Sequence, residues 1–342
     1  MSRHILLPSM IVLILITTGI GSYAWVSHHR LPQSPGPVEK ITLGTDRSLL
    51  SAPIWLAEHQ GYFRDAGLEV TIKEFQTGRS ALLAILHGEP IDIITVASTP
   101  IMLESFGRDD FRIIATSVDS QDNDKVIAHK ESGIVTVADL LGKKIGYVKG
   151  TSAHFLLEIL LVEHGLVPSQ VAMVDLTPGD IPTALAHRDV DAVAIWEPYA
   201  TQALEILHER AVQLSPPGTY RGMYHFVAMQ NFVHKCQQAV TRFLTAIERA
   251  NRLISDQRDT AQTIVTDRLG LDRAIVAKLW EKLSYRLFLD QLFLLDLESQ
   301  ARWAIKSQLT DKTVVPNYLH LISSDGLQRV NPKAVTLILP QN

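Results

Sequence analysis

The chain has 342 residues, 46% of them hydrophobic, a formal net charge of −4 and a single cysteine, Cys236. That is enough apolar mass for one large domain or two lobes. One thiol excludes an intramolecular disulfide and a cysteine-built metal site, and no basic stretch is long enough for a phosphate-backbone footprint, so nucleic acid is not an expected partner.

The first thirty residues carry their own signal. Arg3 and His4 precede a nearly unbroken apolar run from Ile5 to Val26. A positive start followed by an apolar core is a secretory pattern, and Ser22 and Ala24 are small residues suited to cleavage after Ala24. The run is also long enough to span a bilayer as a helix, with Trp25, His28, His29 and Arg30 suited to the interface. Residues 1–30 therefore read as a signal peptide or a membrane anchor. No cysteine follows the run, so a lipid-modified cysteine is excluded, and either reading puts the rest of the chain outside the cytoplasm. The proline-rich 31–37 segment reads as an extended linker.

Short strands and helices then alternate. Strands are expected at 41–45, 68–75, 91–96 and 112–118, with helices at 52–60, 80–87 and 100–106 between them. After the polar 120–124 stretch the pattern restarts. Strands fall at 125–129, 144–148, 171–176 and 190–195, and helices at 152–164, 181–187 and 198–208. Thr136 and Asp139 form a capping-box pair. Alternation of this kind implies mainly parallel sheets covered by helices on both faces, and the restart implies two of them. From Phe232 the spacing of apolar residues turns helical, at 237–255, 259–269, 273–283 and 295–307. No strand pattern is visible there, so a helical tail packed back on an existing lobe is expected.

Several stretches together resemble one family. They are Ala52 to Phe63 (APIWLAEHQGYF), Gly78 to Gly88 (GRSALLAILHG) with Ile91, Asp92 and Ile93, Thr136 to Gly146 (TVADLLGKKIG), Gly150 to His154 (GTSAH) and Asp191 to Tyr199 (DAVAIWEPY). Their order and spacing resemble the periplasmic substrate-binding proteins of ABC importers for nitrate, alkanesulfonates and taurine, from about residue 40 to about 230. The resemblance implies an α/β, periplasmic-binding-protein-like fold: two α/β lobes with a hinge and a ligand cleft, and a helical C-terminal tail. It implies that 38–120 and 226–342 form lobe 1 and 121–225 form lobe 2, with a hinge near 117–124 and 222–226. It further implies a monomer that binds a small-molecule ligand and hands it to an ABC transporter permease in the membrane.

In open sheets of this kind, ligands bind beyond the carboxyl ends of strands, where helix N-termini suit anions. Ser48 and Ser51, Thr77 and Ser80, Ser98 and Thr99, and Thr151 and Ser152 stand at such junctions. Each is also an ordinary N-cap. Thr151 and Ser152 resemble the positions where the family holds an oxyanion. Arg79 opens a helix, where a cation opposes the dipole unless an anion pairs with it; Arg47 is a second, weaker candidate. Trp196 is expected to cover an apolar part of the ligand, and Glu197 either to accept from an amine or to cap its helix. The expected ligand-binding set is therefore Ser48, Thr77, Arg79, Ser98, Thr99, Thr151, Ser152, Trp196 and Glu197. His154 reads as a partly buried helix residue. No zinc spacing, phosphate loop or nucleophile elbow occurs, so no cofactor, metal or catalysis is expected. Thiamine-pyrimidine synthases resemble this family but use a cysteine cluster and paired histidines that this chain lacks. Two alternatives remain: a binding protein for a thiamine-precursor-like pyrimidine stacking on Trp55, Tyr147, Trp196, Tyr199 or Tyr220, and a membrane-tethered ligand sensor.

Overall fold

Strand β1 (Glu39–Asp46) is buried throughout its second half, from Leu43 to Asp46, which suits a central position, and it lies between β2 (Leu68–Phe75) and β3 (Ile93–Ala97), parallel to both. A computed structural model of the chain describes residues 37–338. The signal or anchor reading and most of the linker lie outside the described residues. Among those described, no helix is long and apolar enough to cross a membrane.

The first sheet has six strands in the order β11 (Leu283–Phe288), β4 (Phe111–Ser120), β10 (Gly222–Met229), β3, β1 and β2. Strands β4 and β10 pair antiparallel, from Gly222 opposite Ser120 to Met229 opposite Phe111. The second sheet has the order β7-β6-β8-β5-β9, built from β5 (Asp124–His129), β6 (Lys144–Tyr147), β7 (Ala172–Asp175), β8 (Ala192–Trp196) and β9 (Ala211–Gln213). The chain enters the second sheet between Ser120 and Asp124 and returns between Gln213 and Gly222.

Two sequence expectations need correction. Both sheets are mixed rather than mainly parallel. Strands joined through helices pair parallel, but β10 runs antiparallel to β3 and β4, and β5 antiparallel to β8 and β9. The reversals fall on the strands that pass between the sheets. The tail is also not purely helical. Leu283–Phe288 forms β11, which pairs antiparallel with β4, Leu283 opposite Ser120 and Tyr285 opposite Val118. Its Leu-Ser-Tyr-Arg-Leu alternation is strand-like. It falls almost wholly between the expected helices at 273–283 and 295–307.

The helices used below are α1 (Ala52–His59), α2 (Gly78–Leu86), α3 (Ser98–Ser105), α4 (Ser152–Glu163), α5 (Tyr199–Leu207), α6 (Gln237–Asp256) and α7 (Gln291–Lys306). Helix α6 buries Val240, Phe243, Leu244, Ile247 and Ala250, a stripe at spacings of three and four, against the first sheet. Phe243 stacks on Phe63 at 5.8 Å and meets Phe226 edge-on at 4.8 Å between ring centres. Such fully buried side chains contribute roughly 1.5–3 kcal/mol each. The second sheet is covered on both faces. Helix α4 packs Leu156, Leu157 and Leu160 on one side, and the Ile181–His187 helix and α5 pack Leu185, Ala200 and Ala203 on the other.

Candidate functional site

The helices that follow β1, β2 and β3 in the first sheet and β6 in the second start on the same side, and a cavity of about 40 Å³ lies between them. Its lining from the first sheet includes Asp46, Leu50, Thr77, Gly78, Arg79, Ala97, Pro100, Met223 and Tyr224. From the passages and the second sheet come Ser120, Asn123, Asp124, Thr151, Ser152, Trp196 and Gly222.

Two helix N-termini open into this cavity without a side-chain cap. Helix α3 begins after Ala97, which has none to offer. Helix α4 begins after Thr151, whose hydroxyl donates instead to the Val148 carbonyl at 2.7 Å. Among the described residues, the backbone N–H groups of Ser152 and Ala153 have no acceptor. Unsatisfied N–H groups at a helix start carry the positive end of the dipole and favour an anion. By contrast α2 closes on itself. Thr77 Oγ1 accepts from Ser80 N at 3.0 Å, and Ser80 Oγ accepts from Thr77 N at 3.2 Å.

Arg79 is half-buried and, among the described residues, has no hydrogen bond or ion pair. It reaches from α2 to the loop before α4: a Cβ added to Gly150 would lie 2.9 Å from its Nε. Gly150 also holds φ at 72°, the left-handed region that glycine adopts readily. Gly78 is a second close approach. A Cβ there would meet Thr95 O and Val96 Cα at 2.8 Å and Tyr224 Oη at 2.9 Å, two of them backbone atoms that cannot swing aside. Gly78→Ala is therefore expected to push α2 off β3 and destabilise the protein by about 1–3 kcal/mol, read by urea denaturation. An unchanged midpoint would show that the helix start yields freely.

Two carboxylates share the cavity with Arg79. Asp46, the last residue of β1, accepts from the hydroxyls of Tyr224, Ser48 and Ser51, the last two at 2.7 and 3.1 Å. Burial raises its pKa against these bonds. The Tyr224 hydroxyl also takes a bond from Gly78 N–H, and burial beside Asp46 keeps it protonated far above the usual range. Asp124, the first residue of β5, accepts from Ser152 Oγ at 2.7 Å through Oδ1. Its Oδ2 has only a long 3.4 Å contact with Asn123. Burial pushes the Asp124 carboxyl up to about 6, so it is largely ionised at neutral pH. The adjacent Lys125 points elsewhere. Its Nζ lies 2.8 Å from Glu197 and 3.2 Å from Asp122, forming a buried ion cluster that Lys282 of the tail joins through Asp122.

The expected residues divide accordingly. Thr77, Arg79, Thr151, Ser152 and Trp196 line the cavity. Ser48 lines an adjoining space shared with Asp46, Trp196 and Tyr199. Ser98 and Thr99 stand at the start of α3 but turn their hydroxyls inward, Ser98 to His225 Nε2 at 2.9 Å and Thr99 to Gln300 Oε1 at 2.7 Å. Glu197 accepts from Thr201 N at 2.8 Å, the capping role, and pairs with Lys125. Arg47 pairs with Glu74 and donates to the Arg268 and Leu269 carbonyls. His154 is buried against Glu158, with which its Nε2 shares a 3.0 Å bond. Among the stacking candidates only Trp196 faces the cavity; Trp55 is sealed in the first core and Tyr147 packs on His154. The sequence reading passed over Asp46, Asp124 and Tyr224. The strand-end rule pointed to Asp46 as much as to Arg47 beside it, and Asp124 was read only as hinge. Among the described residues, no cluster of histidine, cysteine and carboxylate side chains can hold a metal ion.

The comparisons with known proteins agree with this architecture. Residues 50–261 match the family model described as NMT1/THI5 like. A putative aliphatic sulfonates-binding protein of Bacillus subtilis is 26% identical over 277 residues, covering 78% of this chain and 79% of that protein. A protein of the same description from Escherichia coli is 27% identical over 60% of this chain and 63% of its own. Among solved structures, the alkanesulfonate-binding protein SsuA from Xanthomonas axonopodis pv. citri, bound to MOPS, superposes with a TM-score of 0.72 at 23% identity, over 84% of this chain and 99% of that one. With more than half its length matched by the family model, the chain belongs to the NMT1/THI5-like family, and it shares its fold with the solved alkanesulfonate-binding protein.

Proposed function

We propose that this protein is the extracytoplasmic solute-binding component of an ABC importer and that it seats the anionic head of a small sulfonate-type solute in the cavity between its two sheets. The observation that carries this reading is the meeting of two uncapped helix N-termini, α3 beside one sheet and α4 beside the other, with the unpaired Arg79 in one cavity. An oxyanion there accepts from backbone N–H groups of α4 and pairs with the guanidinium, a charge-assisted contact suited to sulfonate geometry. Leu50, Pro100, Met223 and Trp196 supply apolar wall for an organic remainder.

In this reading residues 38–120 and 226–342 form one lobe and 121–225 the other. They close about the strand passages at 117–124 and 222–226, because the ligand touches both sides only when they are together. The N-terminal segment takes the chain out of the cytoplasm, as cleaved signal or retained anchor, and the protein works as a monomer that delivers its solute to a membrane permease. The role is capture: the two relatives described above are named as binding proteins.

A thermal-shift panel of the purified protein against short alkanesulfonates, nitrate and bicarbonate tests this. A ligand at 100 times its dissociation constant adds about 2.7 kcal/mol of stability, seen as a clear rise in melting temperature. A rise with sulfonates and none with inorganic anions is the expected result. No rise with any anion would overturn the reading.

A further inference from the structure

We infer that Glu158 is a latch between the lobes: the tail helix α7 donates two hydrogen bonds to its carboxylate when the lobes stand together, and His154 carries that contact to the loop that opens the anion seat. The inference rests on the two-lobe reading above and assigns residues to its closure.

Helices α4 and α7 belong to different cores. Leu156, Leu157 and Leu160 of α4 pack on the second sheet, and Phe293, Leu297 and Ala301 of α7 pack on the first. Their side chains nevertheless meet. Glu158 of α4 is buried and accepts through Oε2 from Trp303 Nε1 at 2.8 Å and from Ser307 Oγ at 2.6 Å. Phe155, one turn earlier, meets the Trp303 ring edge-on at 4.9 Å between centres, and the Tyr220 ring of the return passage at 5.4 Å.

The other oxygen of the carboxylate faces the seat. Glu158 Oε1 bonds His154 Nε2 at 3.0 Å, and His154 Nδ1 accepts from Gly150 N–H at 3.3 Å. An imidazole that accepts at Nδ1 and faces a carboxylate at Nε2 carries its proton on Nε2. Gly150 lies against Arg79, and the free N–H groups of Ser152 and Ala153 follow within three residues. A hydrogen-bonded path therefore runs from α7 to the backbone of the seat. Burial works against the Glu158 carboxylate, but the bonds from His154, Ser307 and Trp303 outweigh it and hold its pKa below the usual range. When the lobes part, Trp303 and Ser307 withdraw and water takes their place. Closure regains two charge-assisted bonds, with or without a solute, and a bound solute is held longer because reopening must break them.

The test removes both donors and keeps the acceptor, with Trp303→Phe and Ser307→Ala together in the purified full-length chain, its fold checked by far-ultraviolet circular dichroism. Spin labels on Thr71→Cys and Ala172→Cys, in a Cys236→Ser background, report the opening. Both sites are exposed and lie on β2 and β7, the strands farthest from the passages in their sheets. Without ligand, electron-resonance distances in the double variant are expected to shift to longer values. Titration calorimetry with ethanesulfonate is expected to show about tenfold weaker binding, the range for one hydrogen bond to a charged group. Ser307→Thr keeps a hydroxyl donor and is expected to stay within about threefold of the unaltered protein. His154→Phe keeps a ring against Tyr147 and Trp303 and leaves the α7 donors on Glu158. It is expected to weaken binding without changing the distances. Unchanged distances in the double variant overturn the latch. Unchanged affinity in His154→Phe overturns the path to Gly150. If ethanesulfonate does not bind the unaltered protein, the sulfonate reading falls, and the ligand-free distances still decide the latch.

Discussion

Lys125→Met is expected to cost about 3–5 kcal/mol of folding stability, the usual loss when one partner of a buried ion pair is removed. The lysine side chain is 3% exposed and stands between Glu197 and Asp122, themselves 7% and 11% exposed. Its Nζ also donates to the Asp122 carbonyl at 2.5 Å. Among the described residues, Asp122 retains Lys282 when Lys125 is gone, but Glu197 retains only the Thr201 N–H. A carboxylate that deep, without its cation, keeps its desolvation cost and loses its attraction. The measurement is urea denaturation of the single variant and of Lys125→Met with Glu197→Gln. The double variant is expected to recover more than half of the loss, because it removes the stranded charge as well as its partner. A loss below about 1 kcal/mol in the single variant would mean that water reaches Glu197 and takes over the role of the lysine.

Arg79→Ala is expected to weaken solute binding by about 2–5 kcal/mol, roughly 30-fold to several thousand-fold, while changing stability little. Among the described residues the guanidinium has no partner to lose, and at the first turn of α2 it opposes that helix's dipole. Removing it should leave the fold unchanged or slightly more stable. Arg79→Lys keeps the charge without the planar two-point contact and is expected to recover only part of the affinity. Titration calorimetry with the best-binding sulfonate gives the affinity, and thermal melting without ligand gives the stability. If affinity stays within about threefold in Arg79→Ala, the anion sits on the helix N-termini alone.

The fold class was legible because it depends on periodicity, which a sequence displays directly. Alternation at 68–75 and the three-four spacing of α6 each announce their own element. The lining of the candidate cavity was legible in position and less so in direction. Thr77, Arg79, Thr151 and Ser152 follow from the rule that strand ends and helix starts line the opening of such sheets. That rule cannot say where a hydroxyl points. Ser98 and Thr99 sit at an equally suitable junction, but His225 and Gln300, more than a hundred residues away, draw their side chains inward. Glu197 is taken by Lys125 in the same way. The partners that decide these directions are distant in the chain, so no local pattern reports them. Strand β11 escaped notice because six alternating residues between two helical stretches are a short signal, and its ladder partner β4 lies more than 160 residues away in the chain.

The position of β11 and β10 also constrains the order in which the molecule can assemble. Strand β4 ends at Ser120, yet its two neighbours begin at Gly222 and Leu283. Until those segments are available, β4 has neither ladder partner, and the first sheet consists only of β1, β2 and β3. The second sheet has no such wait, because all its strands lie between Asp124 and Gln213. A chain made from its N-terminus therefore completes the inner sheet before the outer one. The unpaired edges of β3 and β4 stay open to wrong partners through that interval, and large sequence separation makes their eventual closure slow.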